Sequence, residues 1–289
     1  MKLTRRLAPV WACLAGLVFT SCGTLTSIAG TTVTPVPTIV HPHRGPVVVQ
    51  YCADDTGSYP RTYFISANKA VASSLGQSVV PNSEGLVLYA TLISSKTFDP
   101  SQSLAPFVIP AISAYPSLPT PLPTPPQDNP VSYSATATTV ANENNTGITS
   151  YNAAMAQKTT ELQVTQTQVA NDAKRLTNWN PSVDSNATSV WGCLQLARQR
   201  FTSQPGAKYL IIASDMKNNT NVDFTRDFTE SQALKGVSVN VIFYVCQTAG
   251  ACQQTASQWQ QVFKSSGASS VQFNDPSQSQ TLGNLFGGA

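Results

Sequence analysis

The 289-residue chain carries only 11% charged residues against the roughly 25% usual for soluble domains, and Ser, Thr, Asn and Gln stand in their place. Residues 1–21 hold three of the 17 basic side chains and none of the 14 acidic ones, so 14 of each remain beyond them and the rest is formally neutral. The pI of about 8.5 therefore belongs to the first segment, and no basic footprint for a nucleic acid is left.

Lys2, Arg5 and Arg6 precede the apolar stretch Leu7 to Phe19, which is too short to span a bilayer as a stable helix. The stretch runs into Phe19-Thr20-Ser21-Cys22, which resembles a bacterial lipobox. Residues 1–21 then form a lipoprotein signal peptide, with Cys22 as the acylated mature N-terminus. Residues 22–45 follow as a flexible Thr-, Pro- and Gly-rich tether. They hold His41 and His43, the only histidines in the chain. These features place the protein at the cell envelope, outside a bacterial membrane and touching it only through lipid.

The folded part is expected over residues 46–289, long enough for one large domain with a sizeable core. A strand is predicted over Val47 to Cys52, a helix over Tyr63 to Leu75 and a strand over Leu86 to Ile93. Leu104 to Ile112 contains Pro106 and Pro110, so it can only be an edge strand or a loop. Pro116 to Pro130 holds seven prolines and reads as a stiff extended segment. A long helix is predicted over Ile148 to Trp179. Tyr151, Met155, Leu162, Val169, Leu176 and Trp179 form its stripe, with Lys158, Thr165 and Asp172 at the intervening positions. That stripe suits a helix packed through a narrow face on its own domain better than a coiled coil, because polar residues interrupt the seam. Helices then alternate with strands: Val190 to Phe201, Tyr209 to Ala213, Phe224 to Leu234, Val237 to Val245, Ala256 to Phe263 and Val271 to Phe273, with a final turn over Leu282 to Phe286. Alternation of this kind predicts an α/β fold, a doubly wound and mostly parallel sheet with helices on both faces. The Pro-rich stretch and the long helix, about residues 99–178, would be an insertion in it.

Six cysteines are present; Cys13 leaves with the signal and Cys22 carries lipid. Cys246 and Cys252 lie close together past an apolar strand, and a local disulfide between them is expected in an oxidising compartment. Cys52 and Cys193 either pair or remain as buried thiols.

Three polar clusters stand where elements begin or end. Asp54-Asp55-Thr56-Gly57-Ser58 follows the first strand, Thr188 precedes the helix from Val190, and Ser214-Asp215 ends Leu210-Ile211-Ile212-Ala213. This order resembles the von Willebrand factor type A domain, whose pattern is Asp-x-Ser-x-Ser, a distant Thr and a strand-terminal Asp. Here Thr56 replaces the first Ser and keeps its hydroxyl. Met216-Lys217 departs from the glycine usual after the last Asp. The resemblance implies a metal-ion-dependent adhesion site built from Asp54, Thr56, Ser58, Thr188 and Asp215. In it Thr56, Ser58 and Thr188 would bind directly, with the two carboxylates acting through water or hydrogen bonds. The implied ion is Mg²⁺ or Mn²⁺, and the implied partner is a protein presenting a carboxylate. Hydroxyl and carboxylate oxygens are the donors that such hard cations take.

Two alternatives carry other chemistry. The same fold could serve as a metal-free structural interaction domain working through the long helix and the Pro-rich insertion. Asp55-Thr56-Gly57-Ser58 also resembles the catalytic loop of aspartic peptidases, which needs two such aspartates sharing a proton. No second Asp-Thr-Gly or Asp-Ser-Gly occurs, so only a symmetric dimer could complete the pair. With no histidine past the tether, Ser-His-Asp and Cys-His catalysis and His-based zinc hydrolysis are excluded, and no enzymatic activity is expected.

Overall fold

A computed structural model describes residues 47–80, 83–127, 130–182, 187–220, 223–281 and 283–286. The signal peptide, Cys22, the tether and both histidines lie outside the described residues. Of these described residues, Leu118–Asn152 form one compact unit, and the remainder form a second.

The second unit is built on a six-stranded sheet. Strands β1 (Val47–Asp54), β2 (Leu86–Ile93), β3 (Phe107–Ile109), β4 (Ala207–Ala213), β5 (Val237–Ile242) and β6 (Ser270–Phe273) lie in the order β3-β2-β1-β4-β5-β6. All neighbours run parallel except β2 and β3. The doubly wound α/β sheet expected from the alternation is present, and the Pro106–Pro110 segment is its antiparallel edge.

Strand period 2 sends alternate residues to two cores. Val49, Tyr51 and Ala53 of β1 face one of them, with Phe64, Val71 and Leu75 of α1 (Arg61–Gln77). Leu162, Val169 and Leu176 join that core from α2 (Pro130–Thr177), so this part of the predicted stripe packs on the second unit. Val48 and Cys52 face the other core, with Leu194 and Phe201 of α3 (Val190–Ser203) and Trp259 and Phe263 of α5 (Ala249–Ser265). Two short helices, α4 (Thr225–Glu230) and α6 (Pro276–Thr281), complete the set.

Several boundaries differ from the sequence reading. Helix α2 starts at Pro130, well before Ile148. Its first turns have no apolar stripe to read. Their threonines instead bond back to the preceding turn, as Thr138 Oγ1 donates to the Ser134 carbonyl and Thr146 Oγ1 to that of Asn142. In the first unit the Asn144 amide both donates to and accepts from the Leu122 backbone, which fastens the Pro-rich segment to this helix. Helix α5 starts at Ala249 rather than Ala256, capped by Thr248 Oγ1, which accepts from Ala251 N–H. Strand β5 ends at Ile242, because Phe243 turns to φ 50° and leaves the extended region. Helix α4 is shorter than Phe224 to Leu234 for a similar reason: Gln232 takes φ 50°. Helix α6 carried no apolar signal and was not foreseen, and the chain turns again at 285–286.

Both disulfides are formed. Cys246–Cys252 is the expected local bridge, and Cys52–Cys193 settles the open pair as a bond across 141 residues.

Candidate metal centre

The site lies at the carboxyl ends of β1 and β4, adjacent strands whose sequence neighbours lie on opposite sides. This is the switch point of a doubly wound sheet, where outward connections leave a crevice for ligands.

Asp54 ends β1 fully buried. Its Oδ1 accepts from the Thr56 backbone N–H (3.0 Å) and from Thr56 Oγ1 (2.7 Å), a local turn set by the aspartate itself. Its Oδ2 accepts from Ser214 Oγ at 2.7 Å, which ties the exits of β1 and β4 together. Thr188, also fully buried, donates from Oγ1 to Thr56 Oγ1 at 3.0 Å. Ser58 Oγ lies 3.3 Å from the same Thr56 oxygen. Three clusters separated by up to 160 residues thus form one chain of oxygens: Thr188 to Thr56 to Asp54 to Ser214.

The Thr188 loop is held from both sides. Asn219 N–H donates to the Thr188 carbonyl at 3.0 Å. Ser189 caps α3, accepting from Gly192 N–H at 3.1 Å. A Cβ at Gly192 would come 3.0 Å from Thr97 Cβ, so a larger residue there would push on the Thr97 side chain. Below the loop, Cys52 and Cys193 join β1 to α3.

Asp215 follows with its side chain only 2% exposed. Its Oδ1 accepts from Lys217 N–H at 3.1 Å, while Oδ2 lies 3.3 Å from Lys217 Nζ but accepts no hydrogen bond. Burial pushes Asp54 up to about 6; its hydrogen bonds from Thr56 and Ser214 oppose the shift, and the charge of Asp215 adds to it. Asp54 and Asp215 therefore share one local field. The five residues expected from the sequence come to one end of the sheet. Ser214 was missed as a member; its direct bond to Asp54 could have been read from its place beside Asp215. Tyr59 is buried next to the site and donates to the Phe243 carbonyl at 3.1 Å. Burial, then the charges of Tyr51, Asp54 and Asp215, hold its phenol well above the ordinary range.

Asp55 serves elsewhere. It pairs with the Arg61 guanidinium, which also bonds the Asn180 side chain. Burial raises its pKa although Arg61 pulls the other way. Its ion pair with Arg61 is a structural use of Asp55 at the start of α1.

The donor set suits a hard divalent cation. Every candidate atom is a hydroxyl or carboxylate oxygen, and Asp215 Oδ2 is buried without a hydrogen bond. No group of three or more His, Cys, Asp or Glu side chains gathers among the described residues, so a metal would depend on Thr56, Ser58 and Thr188 as much as on the two carboxylates.

A six-stranded, mostly parallel sheet with this order, bearing hydroxyls and carboxylates at the ends of β1 and β4 and ahead of α3, is the doubly wound α/β architecture that the sequence resemblance implies. No protein-family model and no curated protein matches the chain. Among solved structures it is similar to proximal thread matrix protein 1 from the mussel byssus with a zinc-occupied MIDAS motif, at 11% identity and TM-score 0.40. That match covers 84% of this chain and 44% of the mussel chain, so this chain spans less than half of that protein. It is also similar to an aerotolerance-related membrane protein of Bacteroides fragilis NCTC 9343, at 12% identity and TM-score 0.38, over 81% of this chain and 94% of the other. At TM-scores of this size the site stands on its own atoms.

Proposed function

We propose that the chain is an extracytoplasmic binding module, held to a bacterial envelope through lipid on Cys22, that captures an acidic group of a protein partner through a divalent ion at the β1–β4 end of its sheet. The observation that carries this reading is the 3.0 Å contact between Thr188 and Thr56 beside buried Asp54 and Asp215. Thr56, Ser58 and Thr188 would hold the ion, with Asp54 and Asp215 supplying charge. A Mg²⁺ or Mn²⁺ ion so held stays electron-poor and offers a position to an incoming carboxylate. No helix among the described residues is long and apolar enough to cross a membrane.

A second reading keeps the fold without the metal, as a structural interaction domain. The ammonium already lying beside Asp215 favours it. Calorimetry separates the two. Heat on adding Mg²⁺ or Mn²⁺, a rise in melting temperature, and chelator-sensitive binding of an Asp-containing peptide support the first. Absence of both heat and thermal shift removes it in favour of the second.

A further inference from the structure

We propose that Lys217 is a tethered cation that takes the charge role of the divalent ion when none is bound, and that it competes with metal for Asp215. The inference rests on the metal-binding reading above. Of the carboxylates buried at this end of the sheet, Asp55 pairs with Arg61; for Asp54 and Asp215, Lys217 is the only cation within ion-pair distance among the described residues. Its Nζ lies 3.3 Å from Asp215 Oδ2, the one oxygen of the five site side chains that is buried with no hydrogen-bond partner. The pairing is lopsided: the carboxylate is 2% exposed and the lysine side chain 45%. The anion is fixed, while the cation has solvent into which it can withdraw.

The backbone sets this pairing. Met216 adopts φ 58°, a left-handed conformation costly for a residue with a Cβ. Three contacts hold it there. Its N–H donates to Ser214 Oγ at 2.8 Å, its carbonyl accepts from Trp259 Nε1 at 2.9 Å, and its side chain is buried in the α3–α5 core. The chain so turned brings Lys217 N–H onto Asp215 Oδ1 and its ammonium onto Oδ2. A glycine and a neutral residue here would leave Asp215 open to an external ion. Met-Lys instead supplies a cation from the chain, so divalent metal must displace an intramolecular competitor before it gains Asp215. The site is thereby set to respond only at higher metal concentration.

The test compares the full folded domain as wild type, Lys217→Met and Asp215→Asn, each titrated calorimetrically with Mg²⁺ and separately with Mn²⁺. Methionine keeps the apolar stem at a half-exposed position. Lys217→Met is expected to bind metal up to about fivefold more tightly, the scale of a half-exposed ion pair removed. Metal-free, it should melt below wild type and recover more on saturation with Mg²⁺. Lys217→Met added to Asp215→Asn should change metal affinity no further. Equal affinities in wild type and Lys217→Met would overturn the competition while leaving the metal site standing. Absence of binding in both would overturn the competition and the metal reading together.

Discussion

Removing the Cys52–Cys193 disulfide should cost far more than removing Cys246–Cys252, and should damage the site as well. The first bond closes 141 residues and the second 6. The chain-entropy account of loop closure converts these to about 5 and about 2 kcal/mol. Both sulfurs of the long bridge are fully buried in the α3–α5 core, so Cys52→Ala/Cys193→Ala also leaves unfilled space and deepens the loss. Cys246 and Cys252 only flank that core. The two double variants and wild type are compared by urea unfolding, with the midpoint and slope fitted separately. Because Cys52 lies two residues before Asp54 and Cys193 five after Thr188, the long bridge also fixes the Thr188–Thr56 contact. Metal affinity should therefore fall in Cys52→Ala/Cys193→Ala and hold in Cys246→Ala/Cys252→Ala. Equal stability losses for the two pairs would refute the loop-closure argument. An unchanged metal affinity without the long bridge would refute its role in the site.

Asp54 gives a pH signature in metal-free protein. Its folded value, about 6, exceeds the ordinary 3.8, so between these values the folded state holds a proton that the unfolded chain has lost. Stability contributed by this group is full below pH 3.8 and is lost as pH rises through 6, by about 3 kcal/mol. The difference in unfolding free energy between wild type and Asp54→Asn, followed from pH 4 to 7 in chelator, should show that fall; a flat difference contradicts it. Thr188→Val keeps the packing and deletes the hydroxyl that donates to Thr56. It should cost about 1 kcal/mol of stability and weaken Mg²⁺ binding at least about tenfold by calorimetry; unaltered binding would take Thr188 out of the site. Gly85→Ala should cost about 2–3 kcal/mol by urea midpoint, because Gly85 has φ 89° and a Cβ would sit 2.8 Å from the Ile109 carbonyl oxygen. A loss within error of zero would show that this turn relaxes freely.

The sheet was legible because its central parallel strands are short apolar runs, two of them ending in polar clusters. Val47 to Asp54 and Tyr209 to Ala213 both show this, and the end of a buried strand is where such a sheet puts ligands. The five site residues were legible for the same reason: Asp54, Thr56 and Ser58 follow the run that ends at Cys52, Asp215 lies two residues past Ala213, and Thr188 lies two ahead of α3. The start of α2 was not, since Thr138, Thr139, Thr146 and Thr149 satisfy their hydroxyls within the helix and leave no stripe. The early start of α5 hides behind Ala249-Gly250-Ala251, although the cap Thr248 was a usable signal. Lys217 read only as a departure from a pattern. Its contact with Asp215 depends on the left-handed turn at Met216, which nothing in a methionine announces.

The narrow strand β3 carries a consequence for neighbouring copies of the molecule. Beyond it the sheet would offer a row of free backbone groups to any neighbouring copy. Pro106 and Pro110 flank its three residues and have no amide hydrogen to give. The Val108 carbonyl is already taken by Gln168 Nε2 at 3.3 Å, and that of Ala105 by the Arg175 guanidinium at 2.7 Å. With two prolines flanking it and these two carbonyls taken, this margin is a poor template for a neighbour's strand.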